Sequence, residues 1–255
     1  MTSFSDYIQK QSMRSRELPL VHTTEYFRLA SIQASNMLQP SDCAIFKEPL
    51  LYFFYGRPAY RDSSKTMPTR DVGFYPICFV FRPATICKKA KRLYPFDTGA
   101  SQYGLYEPDV KRTEALASYR VLEILENARK IVSSFFDTDE QYLSHKPKHG
   151  LRFASDESDV ESYYHLISGG GDPSCDDRCS AVEIQIAECL DIRQGVIAVA
   201  LPTCFLEDAN LASSLLKVWG AVPLTYDADV GMRPLELHGA IRVLVRQFYR
   251  QSGLL

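Results

Sequence analysis

The hydrophobic pattern of the chain predicts several short strands separated by turns and helices. Mainly apolar and aromatic runs, some with single polar residues, cover residues 18–22, 50–55, 73–82, 181–186, 196–201 and 222–226. Runs of this length, rich in Val, Ile, Phe and Tyr and bounded by polar or turn-forming residues, are typical of buried strands. The pattern therefore predicts a sheet assembled from distant parts of the chain.

Helical periodicity predicts four helices between or after these strands. Thr23 or Thr24 is expected to cap the first helix, which runs to about Leu38 and is stopped by Gln39-Pro40. Apolar residues recur at helical spacing over residues 111–136, 207–219 and 235–250. Gly220 is expected to end the third helix.

Residues 138–179 look least ordered, because they contain charge runs and the glycine-rich sequence 169–171. We expect a loop or lid insertion here rather than a domain linker, since strand-forming sequence resumes directly afterwards. The fold class expected from the whole pattern is α+β, with one domain over residues 1–255.

The composition indicates the cellular compartment of the protein more clearly than it indicates the function. The chain has 255 residues, of which 45% are hydrophobic and 24% are charged. Seven cysteines, an odd number often set in apolar runs, indicate reduced thiols and a cytoplasmic protein. The amino-terminal residues contain no apolar signal segment, and no apolar run approaches the ~20 residues of a membrane span.

The net charge of −2 does not by itself indicate nucleic-acid binding. Two local basic clusters leave that function open: Arg82, Lys88, Lys89, Lys91 and Arg92, and later Arg233, Arg242, Arg246 and Arg250. A cluster of this kind is more often a solvated surface than a binding patch.

Three polar side chains occur at or beside strand runs, where a structural role needs an explanation. His22 ends the first run, Arg57 follows the aromatic run Tyr52–Tyr55, and Glu183 lies between Val182 and Ile184. A histidine at a strand end and an arginine after a strand are commonly structural. A glutamate within a buried strand is more informative, because a buried carboxylate needs a partner or a function.

Together these residues could bind a dinucleotide and cleave its nicotinamide–ribose bond. The transition state of that cleavage is a ribose oxocarbenium ion, which a nearby carboxylate such as Glu183 stabilises. His22 could bind a ribose hydroxyl, and Arg57 could contact a phosphate or the leaving-group side. Thr23 and Thr24 would add contacts to the dinucleotide.

Aromatic side chains of the second strand run could stack on the nicotinamide ring. The candidates are Tyr52, Phe54 and Tyr55.

The order and surroundings of these residues resemble DarT-type ADP-ribosyltransferases. The resemblance lies in His22-Thr23-Thr24, in Tyr52-Phe53-Phe54-Tyr55-Gly56-Arg57-Pro58, and in Ala181-Val182-Glu183-Ile184 with the strand run that follows. The chain departs from the family's usual Pro-Met after the arginine, since Pro58 is followed by Ala59.

The resemblance implies an ADP-ribosyltransferase-like fold, with short mixed or antiparallel strands around an NAD cleft and flanking helices. It implies NAD as co-substrate without a metal, catalytic roles for Glu183 and Arg57, and NAD contacts from His22 and Thr24. It also implies a toxin or anti-phage effector that acts on nucleic acid, RNA or DNA, and is restrained by an antitoxin protein.

Other functions stay open at this point. The acceptor could be a protein, the chain could be an inactive nucleic-acid-binding module of the same fold, or it could simply hydrolyse NAD. The acceptor site is expected within residues 62–69 and 138–179, and residues 85–107 have no counterpart in the resemblance.

Weaker motifs point elsewhere. Cys175 and Cys179 with His165 could hold zinc, although the spacing is loose. Asp97-Thr98-Gly99 is expected to form a tight turn, with Asp97 a lesser candidate for the active site.

Overall fold

An eight-stranded mixed sheet forms the centre of the protein. The computed structural model describes residues 2–59, 67–106, 115–122, 125–169 and 177–255. The strands are β1 (Leu20–Glu25), β2 (Met37–Leu38), β3 (Ser41–Cys43), β4 (Glu48–Tyr55), β5 (Pro76–Phe81), β6 (Ala90–Tyr94), β7 (Glu183–Ile186), β8 (Leu190–Asp191), β9 (Val196–Pro202) and β10 (Val222–Tyr226).

The sheet runs in the order β10-β9-β5-β1-β4-β7-β6, and β3 adds to β4 outside this path. β9 and β10 pair in parallel, whereas the neighbouring pairs from β9 to β6 are antiparallel. β2 and β8 form a separate two-stranded ribbon. The sequence order of the strands is therefore thoroughly permuted in space.

Short helices and turns surround the sheet. The α-helices are α1 (Phe4–Lys10), α2 (Leu29–Ser35), α3 (Pro83–Cys87), α4 (Thr98–Gln102), α5 (Ala115–Tyr119), α6 (Leu125–Phe135), α7 (Asp139–Leu143), α8 (Ser158–Ile167), α9 (Ala209–Ser213) and α10 (Pro234–Gln251). α9 continues into a π-helical turn, Ser214–Val218, and the left-handed Gly220 (φ +64°) follows shortly after. The mixed α+β class expected from the sequence is confirmed.

One continuous cluster of buried apolar residues links the sheet to the helices. β5 is buried along its whole length, and α10 packs against β5, β9 and β10. Elsewhere in this cluster, Phe4 of α1 packs on Phe135 of α6 and on Tyr163 of α8. Helices from both ends of the chain thus cover apolar surface of the same core.

The helix expected from Thr23 or Thr24 to about Leu38 is wrong at both ends. Thr23 and Thr24 remain in β1, where they pair with Cys78 and Ile77 of β5. Their β-branched side chains suit this pairing, and a 3₁₀ turn over Tyr26–Arg28 precedes α2. The left-handed Asn36 (φ 57°) ends α2 before residues 39–40 are reached.

The long helix expected over residues 111–136 is also wrong. α5 ends at Tyr119 and α6 begins at Leu125, and between them Val121 bridges Leu93 of β6. Tertiary pairing thus interrupts a pattern that is locally helical. Residues 111–114 and 123–124 lie outside the described residues.

The loop or lid expected over residues 138–179 contains two helices, α7 and α8. Thr138 and Gln141 form a capping box at the start of α7. Val160, Tyr163 and Ile167 of α8 are buried in the core. Asp159 and Glu161 of the acidic run lie in the first turn of this packed helix, whereas residues 144–157 between α7 and α8 form turns and irregular structure. Residues 170–176 lie outside the described residues.

Candidate active site

The central sheet opens between β1 and β4. β1 pairs with β5 along its whole length, but with β4 only at Leu20 and Val21. From His22 onward, β1 and β4 separate. Adjacent strands that separate within a sheet leave backbone groups and side chains free to line a cavity.

A cleft of about 360 Å³ occupies this opening. Its walls come from β1, the Tyr26–Arg28 turn, α2, β2, β3 and β4. Representative lining residues are His22, Thr24, Arg28, Ile32, Leu51 and Tyr52. The lining therefore mixes polar and apolar side chains in similar proportion, so it offers a small molecule both hydrogen-bonding groups and apolar contacts.

His22 lies where the two strands separate. Its Nδ1 is 2.9 Å from the backbone oxygen of Tyr52, a carbonyl that β1 no longer pairs. A carbonyl only accepts, so Nδ1 carries the proton and Nε2 is left as an acceptor. Burial lowers the pKa of His22, the bond to Tyr52 opposes this, and the charge of Arg28 lowers it further. A neutral imidazole can thus accept a hydroxyl donor.

The neighbouring threonines also line the cleft. Thr23 and Thr24 are both buried residues of β1 that contribute to its wall. The contact region predicted for residues 22–24 is therefore a strand edge rather than a helix start.

Of the three aromatic candidates, the structure brings only Tyr52 to the cleft within the described residues. Its hydroxyl donates to the Cys43 sulfur at 2.7 Å, and burial raises its pKa. Phe54 is a core residue. The Tyr55 hydroxyl donates to the Arg16 backbone oxygen at 2.6 Å. Neither Phe54 nor Tyr55 is placed to stack on a ligand in the cleft.

Glu183 lies on β7, the strand that pairs with the other side of β4. β7 is an interior strand, between β4 and β6, and the side chain of Glu183 is 1% exposed. Three donors hold its carboxyl: the Thr98 hydroxyl at 2.8 Å, the Thr98 backbone N–H at 3.1 Å and the Gln185 amide at 2.6 Å. The carboxyl is therefore fixed beneath the turn that begins α4.

Burial raises the pKa of the Glu183 carboxyl to about 8, and the nearby Asp97 carboxylate adds to the rise. The hydrogen bonds from Gln185 and Thr98 act in the opposite direction. A carboxyl with this pKa holds a proton at neutral pH and can exchange it near that range. Such a shift is common for groups that perform acid–base chemistry.

Asp97 connects this carboxyl to the Asp97-Thr98-Gly99 turn anticipated from the sequence. Its Oδ1 accepts from the Ala100 N–H at 3.1 Å and so caps α4. Its Oδ2 is 3.9 Å from the Arg178 guanidinium. The tight turn is present, and it brings a second carboxylate near Glu183.

Arg57 is enclosed in the protein at the far end of β4. It donates to the Tyr142 backbone oxygen at 3.1 Å, to the Ser180 hydroxyl at 2.7 Å and to the Asp177 backbone oxygen. Its guanidinium also lies over the Tyr142 ring. These partners hold the chain just before β7.

The structure thus places the predicted residues in three separate surroundings. His22 and Tyr52 share the cleft, on the neighbouring strands β1 and β4. Glu183 is on the next strand, β7, and its carboxyl does not line the cleft. Arg57 follows the end of β4 that pairs with Leu20, whereas the cleft opens toward the other end.

Sequence reasoning missed Thr98, Gln185 and Arg28. The pattern Asp97-Thr98-Gly99 signalled the turn that supplies Thr98, but only the strand pairing shows that Glu183 lies beneath it. Gln185 follows Glu183 by two residues on the same strand, which is the spacing for one face. Arg28 carried no sequence signal.

The two basic clusters are largely paired with acids. Lys89 contacts Glu188, and Lys91 and Arg92 both contact Glu48. In α10, Arg242 pairs with Asp177 at 2.9 Å, and Arg250 pairs with Glu140 at 2.7 Å. These arginines and lysines mainly form ion pairs within the protein and contribute little to a free basic patch.

The candidate zinc site is only partly within the described residues. Cys175 lies outside them, and the sulfur of Cys179 is 4.0 Å from Nε2 of His145. The described part of the chain contains no group of three or more possible metal ligands. None of the described helices has both the length and the apolar character that crossing a membrane requires.

The chain matches no protein-family model, and it matches no curated protein.

Proposed function

We propose that this protein is an NAD-dependent ADP-ribosyltransferase. The supporting observation is the opening of the sheet at His22, which forms a cleft one strand away from the buried Glu183. Three adjacent strands, β1, β4 and β7, carry His22, Tyr52 and Glu183. The sequence resemblance assigns His22 to NAD binding and Glu183 to catalysis, and Tyr52 is the stacking candidate on the strand between them.

In the proposed reaction, NAD binds in the cleft and the bond between C1′ of its ribose and the nicotinamide nitrogen breaks. Nicotinamide leaves with the bonding electrons, and the ribose becomes an oxocarbenium ion. A nucleophile of the acceptor then bonds to C1′ and loses its proton. Ionised Glu183 stabilises the cation and accepts that proton.

His22 is the proposed ribose-binding group. Its Nε2 accepts a hydrogen bond from a ribose hydroxyl, because Nδ1 is committed to the Tyr52 carbonyl. Tyr52 supplies an aromatic face beside the nicotinamide. Thr24, and Thr23 beside it, contribute further contacts from β1.

Glu183 must leave its present enclosure for this chemistry. Its carboxyl is covered by the 97–99 turn and bonded to Thr98. Ionisation favours that release, since a charged carboxylate is far costlier to bury than a protonated one. The proposal therefore includes displacement of this turn when NAD binds.

Arg57 is proposed to act as a positioning residue. Its bonds to Ser180 and to the Asp177 carbonyl fix the residues that lead into β7. This role differs from the direct phosphate or leaving-group contact expected from the sequence.

The acceptor is proposed to be nucleic acid, RNA or DNA, with a protein acceptor as the alternative. The setting proposed from the resemblance is a cytoplasmic toxin or anti-phage effector that a cognate antitoxin restrains. An inactive nucleic-acid-binding module receives less support, because the basic clusters it would use are paired with acids.

Labelling with NAD that carries an isotope in its ADP-ribose part tests the proposal. Purified protein is incubated with labelled NAD in three separate reactions, which contain RNA, DNA or protein extract. We expect label on nucleic acid with wild type and none with Glu183→Gln. Glu188→Gln is the matched control, because Glu188 is exposed and follows the same strand. Label on protein alone would identify protein as the acceptor instead of nucleic acid. The absence of label from every fraction would reject the transferase activity.

A further inference from the structure

The turn between β1 and α2 places a cation on the wall of the cleft. Arg28 ends the 3₁₀ turn Tyr26–Arg28 and lines the cavity together with Phe27. Both residues are exposed, and the Phe27 side chain is 53% exposed. The cleft therefore has a charged and aromatic rim at its α2 side.

Phe27 orients the guanidinium of Arg28. The guanidinium carbon lies 5.3 Å from the centre of the Phe27 ring. A cation above an aromatic face is held by the ring quadrupole, and it keeps its N–H donors available for another ligand. Phe27 in turn packs edge-on against Phe74, at 6.2 Å between ring centres.

Arg28 makes no ion pair with a carboxylate among the residues that the structure describes. Its charge nevertheless acts across the cavity, because it contributes to the lowered pKa of His22. By contrast, Arg57 is buried, and both terminal nitrogens of its guanidinium donate to protein oxygens. Among the described residues that line the cleft, the arginine is Arg28 and not Arg57.

We propose that Arg28, stacked on Phe27, binds the pyrophosphate of a dinucleotide in the cleft. The inference rests on the proposed function and adds to it the residue that recognises the phosphates. A guanidinium offers paired N–H donors that match two phosphate oxygens, which a single strand-end histidine cannot do. Placed beside His22, it sets the direction of the ligand: ribose toward β1, phosphates toward the Arg28 turn.

A carboxylate lies near this cation in the chain. Glu25 lines the cleft and directly precedes the turn that Arg28 ends. Because a carboxylate repels phosphates, the attraction of Arg28 must outweigh that repulsion for the pyrophosphate to bind at this rim.

Binding measurements with two probes test this assignment. ADP-ribose carries the pyrophosphate, whereas nicotinamide riboside carries no phosphate. We expect Arg28→Ala to weaken ADP-ribose binding by about 10-fold or more and to leave nicotinamide riboside binding within about twofold. Arg28→Lys should fall between wild type and alanine for ADP-ribose, because it keeps the charge and loses the paired donors.

Arg152→Ala is the control, since Arg152 is exposed and does not line the cleft. Unchanged ADP-ribose binding by Arg28→Ala, or equal loss of both probes, would overturn the assignment. If wild type binds ADP-ribose through Arg28 but releases no nicotinamide from NAD, the phosphate site stands and the proposed function fails. If wild type binds neither probe, both are rejected.

Discussion

The side chain of Glu183 couples the stability of this protein to pH. Its carboxyl is buried, and burial, followed by the charge of Asp97, raises its pKa from 4.5 to about 8. Between those two values the unfolded chain releases a proton that the folded protein keeps. Folding therefore loses stability from this group as pH rises from about 4.5 to about 8.

Glu183→Gln removes this titration. We expect the variant to gain stability relative to wild type as pH rises from 5 to 8, by on the order of 1 kcal/mol or more. Urea denaturation at the two pH values measures the effect. Glu188→Gln should keep the wild-type pH dependence, and parallel curves for wild type and Glu183→Gln would contradict the raised pKa.

Substitution of Arg57 distinguishes a positioning role of its side chain from a direct contact with NAD. Arg57→Ala removes the donations to the Tyr142 and Asp177 carbonyls and to the Ser180 hydroxyl, while the Tyr142 carbonyl keeps its bond from the His145 N–H. We expect a loss of about 2–4 kcal/mol in the free energy of unfolding, measured by urea denaturation. A direct contact of Arg57 with NAD would instead make the substitution weaken NAD binding or turnover by on the order of 10²-fold or more. Unchanged stability with lost turnover would favour that direct contact.

At the scale of elements, Gly56 directs the chain from β4 toward Arg57. It has φ +70°, and a Cβ there would lie 2.8 Å from Cδ1 of the buried Leu18. Gly56→Ala thus adds backbone strain and a clash, and we expect a loss of about 1–3 kcal/mol in thermal or urea unfolding.

Gly220→Ala provides the comparison, because its φ is +64° and nothing lies within 4 Å of a Cβ there. This substitution measures the strain without the clash. Equal losses at the two positions would show that Leu18 accommodates the added methyl group.

Strands could be predicted from the sequence better than helices. The run at residues 50–55 is buried on the interior strand β4, so its composition directly reflects its surroundings. Residues 23–25 carry a helix-capping signal, but pairing with β5 extends the strand instead. Local patterns could not show this, because the pairing partner lies more than fifty residues away.

The candidate site was predictable only as separate residues. His22 and Glu183 stand out in the sequence as polar residues on apolar runs, and the structure places both on the central sheet. The separation of β1 from β4, the cover of Thr98 over Glu183 and the exposure of Arg28 all depend on contacts between distant segments. No spacing within the chain encodes them.

At the scale of the whole molecule, a permuted sheet assembles the cleft. β1, β4 and β7 are neighbours although β7 is encoded more than a hundred residues after β4. This strand order brings His22, near the amino terminus, and Glu183, in the carboxy-terminal half of the chain, onto one sheet. This assembly is the proposed site of NAD cleavage.

Release of nicotinamide from NAD by the purified protein tests that claim most directly. The measurement is made at pH 9, above the raised pKa of Glu183, with wild type, Glu183→Gln and Glu188→Gln. We expect release by wild type and Glu188→Gln, and a loss of at least about 10²-fold for Glu183→Gln. Equal release by wild type and Glu183→Gln, or none by wild type in the presence of nucleic acid, would contradict it.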